Sequence, residues 1–141
     1  MIYFLDTSVL VKRYVTEKGS DQVRRLLRRN VEIAVARITE AEAYAAIARA
    51  VRMNVLTQDD RKRVFEQIAE DVASSRVVEI RRGVVSAVRD LVHRWPLRGY
   101  DAIQLSCALR LQSENLAVSF WCADDELANA ARGEGMRVTV V

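Results

Sequence analysis

Histidine and proline each occur once in this chain of 141 residues, cysteine twice and glycine five times. Each scarcity excludes something. Two cysteines, Cys107 and Cys122, with His93 as the single imidazole, make neither a disulfide framework nor a zinc site. Both thiols read as core filler in a reducing, cytoplasmic setting. With so little proline and glycine, no repeat and no low-complexity stretch, nothing supports a linker, and residues 1–141 read as one domain. Aromatic residues make up only 6% while apolar residues make up 50%, so a sizeable core must be built from Val, Leu, Ile and Ala. No apolar run approaches the ~18 residues a membrane span needs. The opening Met1-Ile2-Tyr3-Phe4-Leu5-Asp6 lacks the basic flank of a signal peptide and reads as a strand that begins at once.

What is present alternates. Apolar runs at 2–5, 33–36, 77–80, 117–121 and 136–141 read as strands. Between them lie helical patterns. Val9 to Val15 is short, and Gly19-Ser20-Asp21 opens a second helix with Val23, Leu26 and Leu27 on one face. Thr39 begins an Ala-rich helix running to Met53. Thr57-Gln58-Asp59-Asp60 caps the next, to Ala73. Gly83 to His93 is helical until Trp95-Pro96 stops it, and His93 falls where a helix C-terminus favours a cation. Asp101 to Gln112 and Asp124 to Arg132 complete the set. Strands alternating with helices imply parallel crossovers, hence an α/β fold, a three-layer α/β/α sandwich with a mainly parallel central sheet. The two consecutive helices between the second and third strands exceed a minimal crossover and could project as an arm for dimerisation or partner binding.

Four acids stand at equivalent places in this pattern. Asp6 follows the first strand, Glu42 and Asp101 lie in the first turns of helices, and Asp124 follows the fourth strand. In an open α/β sheet such places converge on the carboxyl edge of the strands, where ligands bind. Carboxylates gathered in one crevice coexist only if some hold protons or divalent cations bind among them. Hard oxygen donors without His or Cys suit Mg²⁺ or Mn²⁺. The implied chemistry is metal-assisted hydrolysis of a phosphodiester, and a lone histidine argues against a histidine-based route to it.

Each acid also has a plainer explanation. Asp6 could cap the first helix, although Ser8 or Thr7 could do so and leave Asp6 free at the strand tip. Thr39-x-x-Glu42 has the spacing of a capping box, and Glu40 competes with Glu42 for any metal role. Asp101 shares a helix face with Leu105, Ala108 and Leu109, which turns it toward the core edge. Asp124 could be an N-cap, with Asp125 beside it as a supporting or substitute ligand.

The balance of 22 basic against 19 acidic residues gives only +3. Setting four acids aside in one cleft leaves about +7 on the remaining surface, a footing for a polyanion. Arginines such as Arg24, Arg25, Arg28 and Arg29 can equally be a solvated helix face.

Three stretches carry a family resemblance that spans essentially the whole chain. They are residues 3–12 (YFLDTSVLVK), residues 97–105 (LRGYDAIQL), and residues 120–127 (FWCADDEL) with Ala130, Ala131 and Gly135. In this order and spacing the chain resembles the PIN-domain ribonucleases, and within them the VapC toxins of toxin–antitoxin pairs. The resemblance implies that Asp6, Glu42, Asp101 and Asp124 are catalytic metal ligands for Mg²⁺ or Mn²⁺, with Ser8 supporting the site. Glu42 is matched rather than Glu40 because Ala45-Ala46-Ile47 follows at the family's interval. Cys122-Ala123 departs from the Thr or Ser that relatives often carry before the fourth acid, which leaves Asp124 and Asp125 as alternatives there. The resemblance further implies an RNA substrate, a homodimer and a cognate VapB-like antitoxin.

Other readings fit less well. A haloacid dehalogenase-type phosphatase needs a second Asp two residues after the first, where Ser8 stands. A receiver domain needs a downstream Lys that is missing. A non-catalytic PIN-like scaffold that binds RNA or protein is the remaining alternative, and possession of all four acids disfavours it.

Overall fold

The structure is a computed structural model that describes residues 1–141. Five strands form one sheet: β1 (Ile2–Leu5), β2 (Glu32–Ala36), β3 (Arg76–Val78), β4 (Val118–Cys122) and β5 (Arg137–Val140). Seven helices connect them: α1 (Thr7–Val11), α2 (Ser20–Leu27), α3 (Arg37–Arg52), α4 (Gln58–Ala73), α5 (Arg82–Arg94), α6 (Gly99–Ser113) and α7 (Asp125–Gly133). The spatial order is β3-β2-β1-β4-β5, and every pairing is parallel. The chain winds outward from β1 to β3, then crosses back to lay β4 on the other side of β1. That reversal creates a switch point between β1 and β4, where neighbouring connections leave in opposite directions and open a crevice.

Alternation along the central strands divides the core in two. Ile2 and Phe4 of β1, with Val118, Phe120 and Cys122 of β4, face α5, α6 and α7. Leu5 and Trp121 face the other way, onto α1, α2, α3 and α4. Phe4 pairs in register with Phe120, and their rings stack 5.7 Å apart. Tyr3 meets Trp121 edge-on on the opposite face, 6.1 Å between centroids. Helices thus cover both faces, as parallel sheets require, and the architecture is the expected α/β/α sandwich. No helix is long and apolar enough to cross a membrane.

Several boundaries differ from the sequence reading. The first helix is Thr7–Val11, one turn rather than 9–15, and Asp6 is its cap. β2 runs straight into α3 at Arg37, so Thr39 is an interior residue of that helix and not its cap. The expected capping box at Thr57 is present, with Asp60 completing it. The α3–α4 pair is less of an arm than its length suggests. Ala43, Ile47, Val64, Ile68 and Val72 hold it to the sheet, and its tip alone presents Met53 and Val55 to solvent. His93 and Arg94 lie in the last turn of α5.

A latch joins that end of α5 to α7. The Trp95 indole donates to Glu134 at 2.8 Å, and Arg94 pairs with the same carboxylate at 2.8 Å. Burial opposes ionisation of Glu134, but these two partners outweigh it and hold the carboxyl below its usual range. The ring lies over Gly133, where a Cβ would come within 2.2 Å of two indole carbons. Gly133→Ala therefore gains helix propensity but must displace the indole, and overpacking of this kind costs ~1–3 kcal/mol. Urea unfolding should give a lower midpoint for Gly133→Ala, and an unchanged or higher midpoint would show the indole free to move.

Candidate active site

The crevice at the switch point holds a cavity of about 270 Å³ lined by Asp6, Ser8, Pro96, Leu97, Arg98, Asp101, Asp124 and Glu126. It is not the largest recess. One of about 550 Å³ includes Arg13, Glu32, Asp71 and Arg76. Those four charges are already paired, Arg13 with Asp71 and Arg76 with Glu32. The crevice differs in this respect: none of the eight ion pairs in the molecule includes Asp6, Glu42, Asp101 or Asp124.

Asp6 ends β1 and is buried. Its backbone N–H donates to Trp121 O at 3.0 Å, extending the β1–β4 ladder by one step. Its Oδ2 accepts from the Ser8 backbone N–H at 3.0 Å and from the Ser8 hydroxyl. Asp6 is therefore the N-cap, and the expectation that Thr7 or Ser8 would relieve it of that role is wrong. The Ser8 hydroxyl also accepts from Ala123 N–H at 3.2 Å, so one serine ties the tip of β1 to the tip of β4. Thr7 is turned away, donating to Glu42 Oε1 at 2.8 Å.

Glu42 is not held by a capping box. Besides Thr7, Gln104 Nε2 donates to the same Oε1 at 2.9 Å. Glu40 lies elsewhere, accepting from Tyr44 at 2.9 Å with Arg37 3.7 Å away. Asp101 is half-buried in the first turn of α6, on the crevice wall. Asp124 caps α7, accepting from Leu127 N–H at 2.8 Å, and is exposed at the crevice mouth. Asp125 is not in the crevice. It lines a separate recess with Lys12, Lys18 and Gln22, and Glu126 takes the place beside Asp124.

Charge repulsion registers in the acids. Burial drives the Asp6 carboxyl upward, the hydrogen bonds from Ser8 pull it back, and the charges of Asp101 and Glu42 add to the rise, leaving it at about 6. Asp101 is also raised, first by burial and then by Asp124 and Glu42, with Arg98 opposing. These influences place Glu42 within electrostatic reach of the crevice even though it does not line the cavity. The donor set is oxygen throughout, uncompensated by lysine or arginine ion pairs, and its chemistry fits a hard divalent cation. As the side chains stand, no three of these acids are drawn together closely enough to cage an ion. Asp6 Oδ2 and Glu42 Oε1 are instead engaged by the hydroxyls and amide around them. Both cysteines are buried, and burial pushes each thiol up to about 12. They are inert packing.

Sequence reasoning missed Arg98, Glu126 and Gln104. Arg98 lies inside the quoted LRGYDAIQL stretch and three residues before Asp101, which is a helical-turn signal for a shared wall. Gln104 is three residues after Asp101, on a helix face that continues through the buried Cys107, Ala108 and Leu111.

The raised Asp6 pKa has a consequence for stability. Above its unfolded value near 3.8 the folded state binds more protons than the unfolded chain does. Stability from this group is therefore fully present below about 4 and is lost as pH rises through about 6, a loss on the order of 2–3 kcal/mol. In EDTA, the wild-type melting temperature should fall relative to that of Asp6→Asn as pH goes from 4 to 7, because Asn keeps the cap and carries no charge. Parallel curves for the two proteins would show that Asp6 is not strained by its surroundings.

Residues 3–132 match the PIN domain family. A curated relative, Ribonuclease VapC45 of Mycobacterium tuberculosis, is 31% identical over 138 residues, which is 98% of this chain and 94% of the relative. Two solved structures share the fold at low identity. VapBC2 from Rickettsia felis, bound to a DNA fragment from its promoter, superposes with a TM-score of 0.67 at 14% identity, covering 100% of this chain and 99% of that one. VapC20 of M. tuberculosis, described as a sarcin–ricin loop cleaving toxin, gives 0.67 at 12% identity over 91% of this chain and 94% of that one. Matched across nearly its whole length in sequence and in fold, the chain belongs to the PIN domain family, on its VapC branch.

Proposed function

We propose that this protein is a divalent-metal-dependent endoribonuclease, the toxin of a VapBC-type pair, and that Asp6, Glu42, Asp101 and Asp124 form its active site. The observation that carries this reading is a crevice at the β1–β4 switch point walled by acids that have no ion-pair partner, in a chain similar to a named ribonuclease. Asp6, Asp101, Asp124 and Glu42 would hold Mg²⁺ or Mn²⁺. When bound, such an ion supplies Lewis acidity, making an attacking water more acidic and offsetting charge on the phosphate oxygens.

The residues of the chain do the rest. Ser8 and its own backbone N–H fix the Asp6 carboxylate at the mouth of β1. Arg98, which lines the crevice beside Asp101, would place one cation where a phosphate oxygen would otherwise meet only carboxylates. Pro96 and Leu97 complete the lining of the crevice next to Arg98. Basic residues outside the crevice would meet the flanking phosphates through screened, sequence-independent attraction. The protein would work in the cytoplasm, with both buried thiols reduced. As in the VapBC pairs, a small antitoxin would bind and silence it, and the toxin itself would be a homodimer. Light scattering should return twice the mass of the chain, and affinity capture from the native host should recover one small partner; a monomer, or no partner in repeated captures, would count against these two parts.

The structure sharpens the comparison between Glu42 and Glu40. Both are changed to Gln, which keeps helix propensity and shape but loses the charge and one strong oxygen donor. Cleavage of a labelled single-stranded RNA in Mn²⁺, with EDTA as control, should fall at least ~100-fold in Glu42→Gln. Glu40→Gln should match the wild type, since its carboxylate serves Tyr44 and Arg37. Metal-independent cleavage would overturn the metal-dependent reading, and no cleavage by the wild type of any RNA offered would favour the scaffold. Loss in Glu40→Gln alone would move the second ligand.

A further inference from the structure

Gln104 sits in the middle of α6, 1% exposed, between the two halves of the molecule. Its amide nitrogen lies 2.9 Å from Glu42 Oε1, 2.9 Å from Thr7 Oγ1 and 3.0 Å from Thr39 Oγ1. Thr7 in turn donates to Glu42 Oε1 at 2.8 Å. Thr39 is fully buried and Thr7 nearly so. One amide thereby links α1, α3 and α6, the helices that carry or adjoin three of the four acids.

The chemistry of this knot is directional. An amide NH₂ has two hydrogens, shared here among three oxygens, and no lone pair to offer, whereas the amide oxygen only accepts. The NH₂ faces the carboxylate; the reverse orientation would set a carbonyl oxygen against a carboxylate oxygen. Both bonds to Glu42 fall on Oε1. No hydrogen bond within the molecule engages Oε2, which keeps its lone pairs free for a ligand. A long, flexible Glu side chain loses much rotamer freedom when held this way, and the ordering is supplied before any ligand arrives. A buried polar side chain this deep in an apolar helix face is costly unless its bonds are all made. A leucine there would serve the core as well.

Resting on the active-site reading above, we propose that Gln104 is a positioning residue: with Thr7 and Thr39 it clamps Glu42 Oε1 so that Oε2 is presented to a divalent cation shared with Asp6 and Asp101. It touches neither substrate nor ion. Its effect reaches the reaction through Glu42 alone. The polar partners that orient a ligating carboxylate typically matter by 10–100-fold in metal affinity or activity.

The test is Gln104→Met, which keeps length and volume and removes both donors and the acceptor. Mn²⁺ binding is measured by calorimetry on the full chain, melting is followed in EDTA, and kcat and KM are measured separately on a single-stranded RNA. The expected result is about a tenfold weaker Mn²⁺ affinity and a similar fall in kcat, with KM for RNA within about twofold of the wild type. Thr39→Val, which reaches Glu42 only through the amide, should weaken Mn²⁺ binding by a smaller factor and add nothing in the Gln104→Met background. In a Glu42→Gln background, Gln104→Met should likewise add nothing, since the group it positions is gone. Should Gln104→Met fail to fold, Thr7→Val removes the other donor to Oε1 and carries the same expectation. Wild-type Mn²⁺ affinity in a folded Gln104→Met or Thr7→Val, or full additivity with Glu42→Gln, would overturn the positioning role. Absence of Mn²⁺ binding by the wild-type protein would instead overturn the reading of the active site itself.

Discussion

Ile2 to Leu5 pairs residue for residue with Val118 to Trp121, although almost the whole chain lies between them. This pairing sets the switch point, and the crevice exists because of it. On one face it stacks Phe4 on Phe120; on the other it seats Trp121 against Tyr3. Past the last paired residues, Asp6 N–H still reaches Trp121 O, and Ser8 still reaches Ala123. The ladder therefore continues into the site. A shift of one residue in β4 would turn Phe120 and Trp121 to the wrong faces and carry Asp124 out of the crevice at the same time. Core packing and site geometry are fixed by one register.

The crevice is also where the fold is least comfortable. Elsewhere, exposed and half-buried charges are paired across elements, as with Arg37 and Glu79 or Arg13 and Asp71. Here Asp6 is buried with hydrogen bonds but no cation, and its carboxyl is held up at about 6 by burial and neighbouring charge. Replacing these acids by apolar residues would relieve that repulsion. A ligand that binds the charge would relieve it as well, and on the reading proposed above a hard dication would do so with the oxygen donors available.

The parts of this arrangement that were legible in the sequence are those set by local pattern. Strand tips followed by helix starts locate Asp6 and Asp124, and the helical period places Asp101 toward the core edge. Strand order was not legible, because an apolar run does not say which neighbour it pairs with. Thr39-x-x-Glu42 misled as a capping box because β2 passes into α3 without a loop, so the N-cap is Ala36, three residues earlier than the Thr suggests. Asp125 misled for a related reason. With Asp124 as N-cap, residues 125 and 126 stand about 100° apart around the helix, and a single step in the helix start decides which one faces the crevice. It is Glu126.

Gln104 marks the limit of such reading most clearly. A glutamine in a helix is unremarkable until the face it occupies is known, and that face depends on where α3 and α1 lie against α6. The sheet decides this, since β1 and β2 deliver α1 and α3 to the same end of the molecule, next to the first turn of α6. Once they converge, two hydroxyls, an amide and a carboxylate meet, and Glu42 Oε1 is the acceptor that Thr7 and Gln104 share. The same bonds that make the interior acceptable engage one carboxylate oxygen of Glu42 and leave the other without a hydrogen bond inside the molecule. On the active-site reading proposed above, satisfying the buried polar groups and ordering Glu42 would be one structural act, and the second acid would join the other three from a helix interior, away from any strand tip.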